Sequence, residues 1–149
     1  MHDFDFLFGS WDIANSKLKD RLVGSTQWLE FPGTSVCWGL FGGAANIDEI
    51  TFPTENVSGL TLRLFDQQRE EWSLYWASSA TGVLFPPVVG RFSGGTGLFY
   101  GDDTQDGTPV RVRYIWSRIT PSSARWEQAF SVDQEKTWET NWVMELARR

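Results

Sequence analysis

Apolar and polar residues alternate with a period of two along most of this chain. The alternation is clearest in residues 60–64, 72–76, 110–116 and 138–146, which are rich in Trp, Val, Tyr and Thr. A period of two in residues of this kind is typical of half-buried antiparallel strands. Residues 3–8 have room for one short helical turn, and no other segment shows a convincing helical period.

Short turns separate eleven candidate strands, of which we expect one or two to fuse or fail. The turns include residues 66–69, 93–97, the Asp106-Gly107 pair and 120–123. Strands joined by loops this short are antiparallel neighbours, because a parallel crossover needs about a dozen residues or more. The candidate strands are residues 11–19, 25–31, 35–41, 46–50, 60–66, 71–78, 88–92, 97–102, 109–119, 125–132 and 137–147.

So many strands in an open sheet would leave two exposed edges, and the chain offers no helices to cover the sheet. Closure removes the edges and gives the aromatic residues an interior. The sequence therefore predicts an all-β fold: a closed antiparallel up-and-down barrel of about 8–10 strands, with a two-sheet sandwich as the competing architecture. No linker, repeat or low-complexity tract interrupts the pattern, so residues 1–149 are expected to form a single domain.

Charge and cysteine content narrow the classes of partner. Lys and Arg number 13 against 19 Asp and Glu, a net charge of −6, which argues against nucleic acid or an anionic membrane as the main partner. One cysteine, Cys37, excludes an internal disulfide and fits a reducing compartment. No apolar run approaches the roughly 18 residues of a membrane span, and the first residues lack the order of a signal peptide. We expect a cytoplasmic protein.

A Gly-x-Trp motif, Gly9-Ser10-Trp11, follows the predicted helical turn and opens the first strand. It resembles the signature of the calycin (lipocalin-type) barrels. That resemblance implies that Trp11 seals the closed end of the barrel, under a basic residue near the end of the last strand. Arg148 is at the matching place, with Arg149 as the alternative, and an arginine over a Trp ring is a favourable cation–π pair.

Longer segments extend the resemblance to nearly the whole chain. Residues 4–11, 61–66, 72–76, 124–131 and 138–142 resemble a bacterial family of small lipocalin-like barrels. This resemblance implies the fold and carries no activity with it.

Residues 131–138, Ser-Val-Asp-Gln-Glu-Lys-Thr-Trp, resemble the Asp-box, a stabilised hairpin of sequence Ser-x-Asp-x-Gly-x-Thr-Trp. The resemblance implies that Asp133 accepts hydrogen bonds from loop amides while Trp138 packs beneath them. Glu135 stands where the motif has glycine, which puts the left-handed backbone conformation at that position in question. The motif is structural and indicates no function.

The parity of the last hairpin also predicts a bulge. Two apolar rows flank this hairpin: one is Trp126, Phe130 and Val132, and the other is Trp138, Trp142 and Leu146. A loop with an even number of residues would place one of the two rows on the outside of the barrel. Both rows can be interior only if the hairpin contains one extra residue. The alternative is that one row forms an outer patch for a second subunit, so homo-oligomerisation stays open.

Residues suited to metal, haem or nucleophilic chemistry are scarce. His2 is the only histidine and Cys37 the only cysteine, so zinc, copper and His-ligated haem sites are poorly supported, as are Ser-His-Asp and Cys-His catalysis. We predict no metal and no cofactor. Cys37 lies in an apolar strand, where a buried inert thiol is favoured over a nucleophile.

A barrel of this size can hold one small ligand among aromatic walls and a few directed polar groups. Arg63, Arg113 and Glu127 could orient a carboxylate, enone or phenol, and Tyr75 and Tyr100 could donate hydroxyl hydrogen bonds. Alternatively, Arg113 faces solvent, because Arg111 and Arg113 share one face of their strand and the apolar residues Val110, Val112, Tyr114 and Trp116 form the other. The candidate ligand-binding residues are Arg63, Tyr75, Trp76, Tyr100, Arg113, Trp116, Glu127, Asn141 and Trp142.

Three functional hypotheses follow from the pattern. The first is that the barrel binds a small hydrophobic or aromatic molecule without chemistry of its own. The second is an enzyme of cyclase or isomerase type, in which an Arg, Tyr or Glu side chain polarises a substrate held in the dry interior. The third is a homo-oligomeric assembly module that uses an exposed Trp face.

Overall fold

A computed structural model describes all of residues 1–149, which form ten strands and two short 3₁₀ turns. The turns are Asp5–Leu7 and Phe41–Gly43, and the protein has no helix long and apolar enough to cross a membrane. The strands are β1 (Gly9–Leu18), β2 (Trp28–Leu40), β3 (Ala45–Phe52), β4 (Val57–Asp66), β5 (Glu71–Ser78), β6 (Val88–Ser93), β7 (Thr96–Gln105), β8 (Thr108–Ser117), β9 (Ser123–Ser131) and β10 (Glu139–Arg148).

Every strand pairs antiparallel with the next along the chain, and β10 pairs with β1 to close the barrel. The predicted closed up-and-down barrel is confirmed. Two candidate strands, residues 25–31 and 35–41, are fused into β2 across Pro32 and Gly33. The fusion is possible because β2 pairs with β3 only from Thr34 onward, so Pro32 lies where the strand has a partner on one side alone.

A plug of aromatic residues fills the closed end of the barrel. Phe4, just ahead of the first 3₁₀ turn, is 1% exposed, and its ring centroid lies 5.0 Å from those of Trp72 and Phe92 in edge-to-face geometry. It also stacks 5.8 Å from Phe99. Aromatic pairs at these distances add to the free energy of burial, so this end is solid core rather than cavity.

The structure places Arg148 over Trp11 at this same end, with its guanidinium carbon 4.2 Å from the ring centroid. The indole N–H of Trp11 donates to the Leu7 carbonyl at 2.8 Å. Arg148 donates to the carbonyls of Phe8 (2.6 Å) and Phe6. Gly9 has a φ of +111°, and a Cβ there would lie 3.0 Å from Arg148 Nη1, so glycine serves both the backbone conformation and the arginine's position.

The middle of β4 presents polar residues to the barrel interior. Thr61 and Arg63 point into the barrel, whereas Leu60, Leu62 and Leu64 lie on the outside. Leu62 is paired across β3 with Ile47, which faces Trp38 on β2, and Trp38 is 48% exposed. The oligomer hypothesis rests on the rows of the last hairpin and not on this outer apolar row. The hypothesis stays a prediction, which light scattering tests.

The predicted bulge is present in β10, between Thr140 and Trp142. With Asn141 as the extra residue, Trp142 and Leu146 share the interior with Trp126 and Phe130 of β9. The prediction was wrong for two residues. Val132 is 58% exposed, because it follows Ser131, the last residue of β9, and lies in the hairpin loop. Trp138 packs against Tyr100 on the outer face, because the extra residue lies inside β10 and reverses parity only beyond Asn141.

The hairpin between β9 and β10 has the predicted carboxylate contacts. Asp133 accepts from the backbone N–H of Thr137 at 2.9 Å and from its hydroxyl at 2.6 Å, and the hydroxyl of Ser131 donates to it at 2.9 Å. Glu135 has a φ of +68°, so the left-handed conformation forms without the glycine that usually supplies it.

Replacing Asp133 with asparagine is expected to remove an acid-sensitive part of the protein's stability. Hydrogen bonds from Thr137 and Ser131 lower the pKa of Asp133 from 3.8 to about 2. Because the pKa is lower in the folded state, this stabilisation is full above pH 3.8 and is lost as the pH falls through about 2. The melting temperature, followed by circular dichroism, should fall less between pH 4 and pH 2 in Asp133→Asn than in the wild type. Equal falls would contradict the assignment.

Candidate ligand-binding cavity

Two adjacent spaces occupy the interior of the barrel. The outer one, the vestibule, has a volume of about 540 Å³ and is formed by the last residues of β1, the first of β2 and the loop after β5. The inner chamber, near the middle of the barrel, has about 70 Å³. Four residues line both spaces and make the waist between them: Trp76, Tyr114, Gln128 and Trp142. A molecule entering from the open end would pass through the vestibule and reach the waist before the inner chamber.

Trp142 is the most firmly held residue of the waist. Its indole N–H donates to Asn15 Oδ1 at 3.0 Å, and the Asn15 amide in turn donates to the Phe31 carbonyl at 3.2 Å. Its ring lies edge-on to Trp126 at 5.5 Å and to Trp76 at 6.2 Å between centroids. The orientation of this wall is therefore fixed by both hydrogen bonding and packing.

Trp76 owes its position to a glycine on the neighbouring strand. A Cβ at Gly59 would lie 1.9 Å from Trp76 Cη2, so the indole lies flat across β4 only because residue 59 has no side chain. Any larger residue would push the ring toward the vestibule. Gly59 thereby sets the width of the waist.

A buried ion pair forms the polar side of the inner chamber. Arg63 Nη2 lies 2.7 Å from Asp48 Oδ2, and Arg63 Nη1 donates to Asn46 Oδ1 at 2.8 Å. Only 5% of the Arg63 side chain and 11% of the Asp48 side chain are exposed. Arg63 Nε and Asn46 Nδ2 are buried without a protein partner. Buried N–H groups are normally paired, so these two donors are free for an acceptor atom.

Burial raises the pKa of two ionisable groups of the cavity. It raises the pKa of Tyr114 to about 12, with a further contribution from the charge of Asp103. It raises the pKa of the Cys37 thiol to about 11. At neutral pH Tyr114 is therefore a hydroxyl donor, and Cys37 is a thiol rather than a nucleophilic thiolate.

Cys37 is expected to react with a disulfide reagent such as DTNB only slowly in the folded protein. The thiol is 3% exposed, and with a pKa of about 11 only about one molecule in ten thousand carries the thiolate at pH 7. Labelling at pH 7.5, followed by absorbance, should accelerate by orders of magnitude in 6 M guanidinium chloride. A folded-state rate close to the unfolded rate would contradict the described burial.

The structure divides the sequence-predicted site residues into two groups. Arg63, Trp76, Trp116 and Trp142 line the cavity. Asn141 is fully buried at the bulge, where it accepts a hydrogen bond from the Gln128 amide at 2.8 Å. Asn141 therefore positions a residue of the waist instead of lining the cavity itself.

Four candidates lie on the outer face, which corrects their expected placement in the barrel. The guanidinium of Arg113 lies 4.4 Å over the ring of Trp138. Arg113 is therefore on the outer face of the barrel, which was the alternative to a place in the ligand site. Glu127 lies 3.5 Å from Arg125 in a surface ion pair. Successive side chains of a strand point to opposite faces of the sheet. The residues before and after each of the four candidates point inward, so the candidates themselves point outward. The four residues are Tyr75, Tyr100, Arg113 and Glu127.

Sequence reasoning missed several residues that line the cavity. Lys17 continues the inward series Trp11, Ile13 and Asn15, and Asp48 occupies the same kind of position on β3. A charged residue at an inward position of a strand is the feature of the sequence that could have identified Lys17 and Asp48 as lining residues. The missed lining residues are Lys17, Arg21, Asp48, Tyr114 and Gln128.

The S-type phycobiliprotein lyase of Guillardia theta is similar in structure to this protein. The two align with a TM-score of 0.62 at 11% sequence identity, over 98% of this chain and 90% of the lyase chain. The fold is lipocalin-like. At this level of identity the likeness extends to the architecture alone. No family model matches the chain, and no curated protein matches it significantly.

Proposed function

We propose that the barrel binds one flat, conjugated, pigment-like molecule, with its body in the vestibule against the waist. The observation that carries this proposal is the vestibule itself, an open space of about 540 Å³ with Trp76, Tyr114 and Trp142 at its base. Such volumes and aromatic linings are typical of sites for small organic ligands. The similarity in fold to a phycobiliprotein lyase supports a pigment over other flat molecules.

The waist is suited to hold such a molecule in one orientation. Trp142 is locked by Asn15, so it presents a fixed face at no further entropic cost. Tyr114 and Gln128 add a hydroxyl and an amide beside the rings. A ligand with carbonyl or ring N–H groups would find both donor and acceptor partners there.

Binding is better supported than catalysis. The enzyme hypothesis used an Arg, Tyr or Glu side chain to polarise a substrate, but Tyr75, Tyr100 and Glu127 lie on the outer face, and Tyr114 is the one tyrosine that lines the cavity. Arg63 is inside, where Asp48 and Asn46 hold it. Cys37 is a neutral thiol at physiological pH, which does not favour covalent attachment of a ligand to this chain.

The test uses biliverdin, a linear tetrapyrrole, and its dimethyl ester as probes. We expect at least one of them to bind saturably with one-to-one stoichiometry, quenching Trp fluorescence and shifting the visible absorption of the pigment. Failure of both to bind would overturn the proposal. A time-dependent change into a new released pigment would replace binding by catalysis.

A pair of variants locates the bound pigment. Val57 lines the vestibule, and Leu60 lies on the outside of the same strand, 37% exposed. Val57→Trp should weaken binding by about tenfold or more by filling the space, whereas Leu60→Trp should leave it unchanged. Visible absorbance is the readout, and Val57→Phe serves if the larger residue prevents folding. Equal effects of the two changes would place the pigment outside the barrel.

A further inference from the structure

Two half-buried cationic side chains, Lys17 and Arg21, line the vestibule without a carboxylate partner, beside a third cation, Lys19, that is exposed. Lys17 Nζ lies 4.4 Å over the ring of Trp142, and the guanidinium of Arg21 lies 5.2 Å over that of Phe130. Neither forms a salt bridge. The polar contact of Arg21 is a 3.3 Å hydrogen bond to Gln105 Oε1. In a chain of net charge −6, two half-buried cations that face a cavity without a partner require an explanation.

Four of the five acidic groups near the mouth accept hydrogen bonds or pair with groups other than Lys17 and Arg21. Asp102 pairs with Arg111 at 3.3 Å, and Asp103 accepts from the backbone N–H of Thr104 at 2.8 Å. Glu139 accepts from the Leu22 N–H at 2.7 Å. Asp106 accepts from the Gln105 amide at 3.1 Å. Glu55 lines the vestibule and is exposed. The negative charges of these groups make the electrostatic potential at the mouth less positive, but none of the groups forms a salt bridge with Lys17 or Arg21.

Both cations are held at an energetic cost. Burial lowers the pKa of Lys17, and the charge of Arg21 lowers it further, against an opposing contribution from Glu55. Burial is also the main cause of the lowered pKa of Arg21. A fixed anion between the two side chains would remove this cost by giving each a charged hydrogen-bond partner.

We infer that Lys17 and Arg21 form a carboxylate-binding subsite in the wall of the vestibule, where Lys17 lies over the waist residue Trp142. The ligand is then an amphipathic anion, whose apolar conjugated body lies in the vestibule and whose carboxylate lies beside Lys17 and Arg21. This inference rests on the proposed function, because it names the chemical class of molecule that the same cavity takes.

Biliverdin and its dimethyl ester test the inference, because they differ only in whether the propionate groups are charged. The wild type should bind the diacid about tenfold more tightly than the ester. The preference should fall in Lys17→Met and in Arg21→Gln, and it should vanish in the double variant while affinity for the ester stays within about twofold. Fluorescence titration gives both affinities, and circular dichroism verifies the fold.

Arg91→Gln is the matched control, because it removes one positive charge from an exposed ion pair with Glu71 on the outer face. It should keep the full preference for the diacid. Equal binding of diacid and ester by the wild type would overturn the subsite and leave the proposed function standing. A preference that survives in the double variant would also overturn it. If neither probe binds, the proposed function itself fails.

Discussion

Replacing Arg63 with methionine is expected to lower the free energy of unfolding by about 3–5 kcal/mol. The change leaves the Asp48 carboxylate, 11% exposed, without its partner in the interior of the barrel. It also leaves Asn46 Oδ1 without the N–H that Arg63 donates at 2.8 Å. Breaking a buried pair from one side costs far more than the pair contributes as a unit, because the remaining charge stays desolvated. Urea unfolding followed by circular dichroism measures the loss.

The double variant Arg63→Met, Asp48→Leu should recover most of that loss, since apolar residues of similar volume replace both charges. Arg91→Met is the control, because its pair with Glu71 is solvent-exposed and should contribute less than about 1 kcal/mol. A single Arg63 variant as stable as the Arg91 variant would show that the inner pair is not buried as described.

The double variant also separates stability from function. If it folds as well as the wild type, the ion pair is not needed to specify the barrel. A loss of pigment affinity in such a protein would then place the free N–H of Arg63 among the groups that contact the ligand. Retained affinity would confine the ligand to the vestibule and the waist.

The fold was predictable because the signals for it are local. Period-two segments and short turns identify antiparallel neighbours, and the number of strands makes closure the economical way to remove sheet edges. The bulge in β10 was predictable for the same reason, since two apolar rows can share one interior only if parity shifts between them. Its place, at Asn141 rather than in the turn, was decided by the packing of Trp142.

The inward face of each strand was not predictable from alternation alone. In β4 the leucines lie outside, and Thr61 and Arg63 lie inside, which reverses the usual assignment of apolar residues to the core. The reason is the partner on the next strand, because Asp48 neutralises Arg63 only if both point inward. Which face of β4 points inward therefore depends on the residues of two strands, and the pattern of one strand alone does not predict it.

The same limit accounts for the errors in the site. Tyr100 and Arg113 have side chains suited to binding a ligand, but they lie outside in contact with Trp138. Lys17 follows Asn15 at the next inward position of β1 and lines the cavity. In a barrel that binds a polar or charged ligand, the informative residues are charged side chains that share parity with buried aromatic ones.

Replacing Trp11 with alanine is expected to lower the free energy of unfolding by about 3–5 kcal/mol. The Trp11 side chain is fully buried, and its removal opens a cavity at the closed end. It also deprives the Leu7 carbonyl of its indole N–H donor. Arg148 keeps its bonds to the carbonyls of Phe6, Phe8 and Pro121 but loses the ring beneath it. The loss should appear as a lower urea midpoint with little change in slope.

Trp38→Ala is the matched control, because Trp38 lies on the outer face at 48% exposure and should cost about 1 kcal/mol or less. Trp11→Phe keeps a ring under Arg148 and should lose only part of the stability, including the indole hydrogen bond of about 1 kcal/mol. Pigment binding by Trp11→Phe should match the wild type, since Trp11 lines neither the vestibule nor the inner chamber. If Trp11→Ala were no less stable than Trp38→Ala, the closed end would not depend on this indole.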